Sequence, residues 1–330
     1  MKFGPVPLNE AAGAILAHSL VLSDGPLKKG TRLGQNELAR ARASGIETLI
    51  VAQLDKGDLS EDAAALAVGR VFATDGLRLG PVFTGRTNLI AERAGVIRVD
   101  TAAIHAMNLI DEGLTVATLA DFMRVEADQL VATVKVIPYG LPEEPVRAGI
   151  AALGGAPIRL HPFRGGRARL ILTRTPGFKE SLISKGEDVV RTRVESLGYD
   201  LAEVRTVAHD EAEVAEALAG QADLTLILGA SATSDRHDIA PAAVVRAGGR
   251  IQRFGMPVDP GNLLFLGTLD GASVVGLPGC ARSPALNGVD WVLERIAAGI
   301  PVTSDDIAAM GVGGLLKEMP GRPQPRRPRS

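Results

Sequence analysis

The sequence predicts an α/β protein. Its main domain, about residues 166–305, reads as a mostly parallel sheet covered by helices, preceded by smaller mixed α+β regions. Three observations lead there. After residue 166, apolar runs of strand length alternate with helical stretches, the spacing of a parallel sheet covered on both faces. Apolar residues make up 46% of the 330-residue chain and aromatics only 3%, so the cores are packed from Ala, Val, Leu and Ile. The length calls for two or three domains, because one core rarely grows past about 250–300 residues.

The first region is residues 1–70. "LNEAAGAILAHSL" reads as a helix running into an extended piece, and "LKKGTRL" as a strand with a turn at Gly30. "QNELARARASGIETLIVAQL" reads as an amphipathic helix, a stop at Gly45 and a strand. The pair Lys28-Lys29 lies on a turn, either simply solvated or facing a phosphate. The second region, 71–165, opens with strand-like pieces broken by glycines in "VFATDGLRLGPVFTGRTNLIAERAGVIRVD". "DTAAIHAMNLIDEG" has apolar residues at helical spacing, with Asp100 or Thr101 as N-cap and Gly113 as stop. "LVATVKVIPYG" is a β-branched strand closed by Pro138 and Gly140. The pairs Gly154-Gly155 and Gly165-Gly166 read as loop, placing a boundary near 165.

In the third region, 166–305, the order is strand "ARLILTR", helix "KESLISKGEDVVRTRVESLG", strand "DLAEVRTVA", helix "DEAEVAEALAG", strand "ADLTLILG", helix "APAAVVRAGG" and strand "RIQRFGM". A hairpin with Asp270-Gly271 at its turn follows, then the helix "PALNGVDWVLERIAAG". The stretch 306–330, ending in "KEMPGRPQPRRPRS", is rich in Pro and Arg and is expected to be a mostly disordered tail.

A formal net charge of −2 gives no whole-protein attraction to nucleic acid or an anionic membrane, so neither is expected as a partner. One cysteine, Cys280, excludes an intramolecular disulfide and fits a reducing compartment. No apolar window reaches the roughly 18 residues of a spanning helix, and no signal peptide is legible; a cytoplasmic protein is expected. The histidines His18, His105, His161, His209 and His237 form no zinc spacing. His209 beside Asp210 and His237 beside Asp238 read as solvated rather than metal-bound.

Ligands of such a sheet lie outside the carboxyl ends of its strands. Three loops leave those ends. "TRTPGFKES" carries Thr173, Thr175, Gly177 and Ser181; "GASATSDRHDIAP" runs from Gly229 to Pro241; "GLPGCARSP" carries Gly276, Pro278, Gly279, Arg282 and Ser283. Their small residues allow a ligand to approach backbone N–H groups, and helix N-termini favour anions. Together they suggest a phosphate-bearing ligand; singly, each glycine is explained by a tight turn. There is no Gly-x-x-x-x-Gly-Lys-Ser/Thr, no Gly-x-Gly-x-x-Gly and no Gly-x-Ser-x-Gly, which disfavours a P-loop NTPase, a dinucleotide enzyme and a serine hydrolase. Asp238, just before a helix, either holds a divalent metal against phosphate oxygens, binds a polar ring edge, or caps that helix.

The run from "LILGASATSDRHD" to "GLPGCARSPALN" resembles the molybdopterin-binding domain of molybdenum cofactor biosynthesis, shared by the adenylyltransferases and the gephyrin-type molybdenumtransferases. Gly229 through Ser234 (with Ser231, Thr233 and Ser234) and Asp238 match its first loop, Pro260-Gly261-Asn262 its Pro-Gly-Lys-Pro-like segment, and Gly276-Leu277-Pro278-Gly279 with Ser283 its last. "VPLNEAAGAILAHSL" and "LKKGTRLGQNELARARASGIETLIV" resemble the molybdenumtransferase N-terminal region, and the middle section resembles that of stand-alone bacterial molybdopterin-binding proteins. The resemblance implies a three-layer α/β/α fold for 166–305 and a ligand that is molybdopterin, a pterin dithiolene with a terminal phosphate, or its nucleotide form. It implies Mg2+ held by Asp238, a catalytic part for Asp238, and a homo-oligomer. It implies either a transferase of molybdenum or a nucleotidyl group, or a carrier that passes the cofactor to other biosynthesis proteins or molybdoenzymes. The sequence departs from the pattern at Ala230 and Ser231, where glycines are usual, and at Asp259 and Asn262, where lysines are usual. It ends soon after the third region.

Overall fold

The structure, a computed structural model, describes residues 1–316 and is mixed α/β. It divides into two compact units, Met1–Leu160 and a second beginning at His161.

The first unit holds two aliphatic clusters. One gathers Leu8, Leu16, Leu33, Leu49 and Val51 around the strands Lys2–Pro7, Thr48–Gln53 and Ile15–Leu16. The expected helix in "LNEAAGAILAHSL" is a single 3-10 turn, Leu8–Glu10; Gly13 then takes φ +78°, which ends any helix, and Ile15–Leu16 pairs as a strand. The other cluster packs two helices not anticipated above, Glu61–Phe72 and Glu143–Leu153, with strands that include Arg86–Ala91 and Leu130–Val136. Ser60 caps the first by accepting the Ala63 N–H at 3.3 Å, and Ala64, Ala65, Val68 and Phe72 form its buried stripe.

The second unit runs β1 (Gly166–Arg174), α1 (Glu180–Glu195), β2 (Tyr199–Ala208), α2 (Glu211–Ala217), β3 (Leu224–Leu228), α3 (Ile239–Arg246), β4 (Arg250–Phe254), β5 (Phe265–Leu269), β6 (Ala272–Leu277), α4 (Gly288–Ala297) and α5 (Ser304–Ala309). The strand order is β2-β1-β3-β6-β5-β4. The four strands from β2 to β6 are parallel, but β5 runs against both neighbours, so the sheet is mixed rather than mostly parallel throughout. The cause is the hairpin at Asp270 (φ 50°) and Gly271 (φ 82°), a pair of left-handed residues that reverses the chain within two positions.

Alternation along the strands sorts the core. Leu170 and Leu172 of β1 join Ile183, Val190 and Val194 of α1 and Val289 and Val292 of α4. Ile171, between them, joins Val214 and Ala217 of α2, Leu218 at its C-cap, and Ala240 and Val244 of α3. The chain's single tryptophan, Trp291 on α4, packs partly buried against the first of these clusters. Order continues past 305: Thr303 and Asp306 form a capping box for α5, burying Ile307 and Met310. The rest of the expected tail lies outside the described residues.

Candidate functional site

The parallel register decides where the loops lie. Leu172 of β1 stands beside Leu228 of β3, and Leu228 beside Leu277 of β6. Gly229 and Pro278 therefore leave the sheet side by side, next to Thr173, which is still in β1 and pairs on its other side with Val207 of β2. Three loops far apart in sequence share one edge because their strands run parallel and in register, β1 continuing two residues further than β3 and β6.

Two side chains tie these loops together. Thr173 is buried, and its Oγ1 accepts the Ala230 N–H at 2.8 Å. Arg282 reaches across from the third loop, and its Nη2 donates to the Gly229 carbonyl at 2.8 Å. The Gly229–Ala230 link is thus gripped from both sides. Arg282 makes no ion pair among the described residues, and its Nε is buried with no hydrogen-bond partner. Burial pushes its pKa down from the usual guanidinium value, yet arginine stays charged in proteins. Its Cζ lies 5.7 Å from the Phe178 ring centroid, within cation–π reach. Arg282 is thus a half-buried guanidinium without a counter-ion among the described residues, at the carboxyl edge of the parallel strands.

The third loop is held in shape from below. Arg193 of α1 donates from Nε to Asp290 at 2.7 Å and to the carbonyls of Ala281 (2.5 Å), Ser283 (2.6 Å) and Ala285 (3.1 Å). Asn287 caps α4 and donates from Nδ2 to the exposed Cys280 Sγ at 3.1 Å. Pro260 and Gly261 meet the same helix start: Gly288 donates to the Pro260 carbonyl at 2.8 Å. Gly261, at φ +141°, leaves no room for a side chain, since a Cβ there would sit 2.9 Å from the Gly288 nitrogen. Asn262 next to it is exposed, with its carbonyl accepting the Met256 N–H at 3.0 Å.

The other expected site residues fall out differently. Gly276 is a packing glycine, because the Phe265 ring lies across it and a Cβ would be 1.9 Å from that ring's Cε1. Gly177 is an open turn at φ +78°, Gly279 starts a short 3-10 turn, and Ser283 Oγ accepts the Ala285 N–H at 3.3 Å. Ser231 and Ser234 are exposed and Thr233 half-buried. Asp238 caps α3: one oxygen accepts the Ile239 N–H at 2.8 Å and the other the Ser234 N–H at 3.0 Å. His237 is turned to solvent and bonds to Asp235, whose carboxyl is lowered first by the His237 backbone N–H and then by its ring. Among the described residues, no group of three or more His, Cys, Asp or Glu side chains gathers to hold a metal.

His209 is the residue that sequence reasoning passed over. Its Nδ1 lies 2.8 Å from Thr173 Oγ1, and the residue is half-buried. The available signal was its place as the first residue after β2, at the same carboxyl edge. The neighbouring Asp210 is not its partner; it caps α2 through the N–H groups of Ala212 and Glu213.

Two open pockets lie away from this edge. One of about 560 Å³ sits at the amino ends of the strands, lined by Arg167, Gln221, Asp223 and Asp270. Another of about 570 Å³ lies beside α3, lined by Arg236, His237, Arg246 and Arg250. No described helix is long and apolar enough to cross a membrane.

No protein-family model matches the chain, and no curated protein matches it. It is similar to solved structures at low identity. A molybdopterin biosynthesis MoeA protein from Pyrococcus horikosii is 12% identical, with a TM-score of 0.30 over 90% of this chain and 76% of that one. A molybdenum cofactor biosynthesis protein from Pyrococcus furiosus is 14% identical, with a TM-score of 0.25 over 91% and 66%. The protein CinA from Thermoplasma acidophilum, of unknown function, is 15% identical, with a TM-score of 0.27 over 36% and 90%. Likenesses of this size leave the chemistry of the site to its own residues.

Proposed function

We propose that the unit beginning at His161 binds molybdopterin, or its nucleotide form, and that the protein serves molybdenum cofactor biosynthesis. The observation that carries this is Arg282, a guanidinium with no counter-ion and a buried, unpartnered Nε, touching Gly229 where three parallel strands end. Molybdopterin ends in a phosphate, and a lone guanidinium beside exposed loop N–H groups suits such a group. The sequence resemblance supplies the pterin; the charge supplies the reason for an anionic end. In this reading the three-layer α/β/α arrangement is kept for 166–305, with α1 and α4 on one face and α2 and α3 on the other.

Two activities are open to such a domain. A transferase would add molybdenum or a nucleotidyl group to the pterin. A carrier would hold the cofactor and pass it to other biosynthesis proteins or to molybdoenzymes. The state of Asp238 favours the carrier: both its oxygens already accept backbone N–H groups, so it is placed as a cap. Each oxygen keeps a second lone pair, so Asp238 fits Mg2+ only as a single ligand to an ion that the phosphate itself brings. The purified protein is expected to retain molybdopterin on gel filtration, migrating as a homo-oligomer, and Arg282→Gln is expected to weaken retention about tenfold or more. Incubation with molybdopterin, ATP, molybdate and Mg2+, read by mass spectrometry, separates the activities: an unchanged bound pterin means a carrier, a modified one a transferase. No retention by the wild-type protein would overturn the reading.

A further inference from the structure

The pair Thr173 and His209 has a hydrogen-bond logic of its own. Thr173 Oγ1 accepts from Ala230 N, so its lone hydroxyl proton remains to be given elsewhere. His209 Nδ1, at 2.8 Å, is the acceptor in reach. That assignment fixes the neutral ring as the tautomer with its proton on Nε2. The backbone holds the ring in place, since His209 N–H donates to the Arg174 carbonyl at 2.9 Å. The ring's Cε1, the atom next to Nε2, faces Gly229: a Cβ built there would be 3.7 Å away. Arg282 meets the same residue through its carbonyl. Nε2–H of His209 and the Nη groups of Arg282 are thus donors around Gly229, one side chain neutral and one charged. No printed bond among the described residues engages His209 Nε2 and no ion pair neutralises Arg282, so both keep donor capacity for an acceptor that enters this edge.

We infer that His209 is the second donor of an oxyanion site around Gly229, giving its Nε2–H to an oxygen of a phosphate monoester while Arg282 supplies the charge. Thr173 is then a positioning residue, acting through the tautomer it imposes. The inference rests on the reading of this edge as the ligand site, and it names the group recognised there.

The test uses the full chain with ring-15N histidine. The His209 signals, assigned with His209→Gln, are expected to show a bare Nδ1 and a protonated Nε2 at neutral pH. Thr173→Val is expected to mix the tautomers, and Thr173→Ser to keep the wild-type pattern. Titration with inorganic phosphate, and separately with phenyl phosphate, is expected to shift His209 Nε2 and not the exposed His237. His209→Phe and Thr173→Val are each expected to weaken binding about three- to tenfold, the range of one neutral hydrogen bond. His209→Gln and Thr173→Ser are expected to bind closer to wild type, and thermal melts show which variants are folded. Tighter binding of phenyl phosphate than of free phosphate supports a monoester. Equal affinities overturn the monoester assignment. If a folded His209→Phe binds as wild type while Arg282→Gln does not, the role of His209 is wrong and the ligand site stands. If neither variant changes binding, or the wild-type protein binds neither probe, the site itself is wrong.

Discussion

Replacing Arg193 by leucine tests whether the third loop is shaped from beneath. Arg193 is nearly buried, with its side chain 10% exposed, and its partner Asp290 is 16% exposed. The change removes one ion pair and three bonds to loop carbonyls, at Ala281, Ser283 and Ala285. Losing one partner of a buried charged pair costs about 3–5 kcal/mol, because the other charge stays behind in poor solvent. Here Asp290 keeps the Asn287 N–H at 2.7 Å, and the Ala285 carbonyl sits near solvent, so the lower half of that range is expected. Against a usual total of about 5–15 kcal/mol this is a large fraction. Urea unfolding followed by far-ultraviolet circular dichroism measures it, with an unchanged slope showing that the exposed surface is comparable. Arg193→Lys keeps the charge but cannot fork to four acceptors, and is expected to recover less than half. Adding Asp290→Leu to Arg193→Leu is expected to cost less than the two single changes summed, because it removes the stranded carboxylate. A loss below about 1 kcal/mol in Arg193→Leu would refute the buried-clamp reasoning.

Further outcomes follow from single contacts. Gly276→Ala drives a Cβ into the Phe265 ring and is expected to destabilise by about 1–3 kcal/mol; a Phe265→Leu background should soften the loss, and no softening would point elsewhere than the ring. Asp238→Ala removes a cap and is expected to cost about 1 kcal/mol, while Asp238→Asn retains most of that stability; turnover lost in Asp238→Asn despite retained pterin would restore a catalytic part for this residue. Burial raises the Glu203 carboxyl, but its bonds to Arg169 and Arg205 outweigh that and hold it below the usual carboxylate value. The folded pKa lies under the unfolded one, so the contribution is present above the unfolded value and is lost as pH falls through the folded one. Melting curves from about pH 6 to pH 3 should therefore fall less steeply for Glu203→Gln than for wild type, and parallel curves would discard the idea.

The second unit was largely legible because its strands and helices follow one another with distinct periods and clear caps. "LTLIL" is buried throughout, and Asp270-Gly271 turns the hairpin as its position announces. What the sequence hid was pairing that depends on distant residues. Nothing local says that β5 opposes β6 while the rest of the sheet is parallel, beyond the hairpin turn itself. Glu61–Phe72 escaped because three of its five buried positions are Ala64, Ala65 and Gly69, small residues that mark a helical face weakly and leave Val68 and Phe72 to carry the period. Leu8–Glu10 misled because a good helix composition was cut short by Gly13. At the site, loop positions were readable from strand ends, but roles were not. Gly276 fits a ligand motif and serves a phenyl ring; His209 resembled a solvated histidine and is bonded to Thr173 across the edge. Which side chain meets which is set by register between strands dozens of residues apart.

The scarcity of aromatic residues gives Trp291 a use unrelated to binding. It is the chain's one tryptophan, it lies on the helix that Asn287 caps, and it packs on the core of the second unit. Indole emission therefore follows that unit and none of the first, whereas peptide absorbance follows both. Recording the two signals on one denaturation series tells whether Met1–Leu160 and the remainder melt together or in succession. The chain carries its own reporter for one half, with no label to attach.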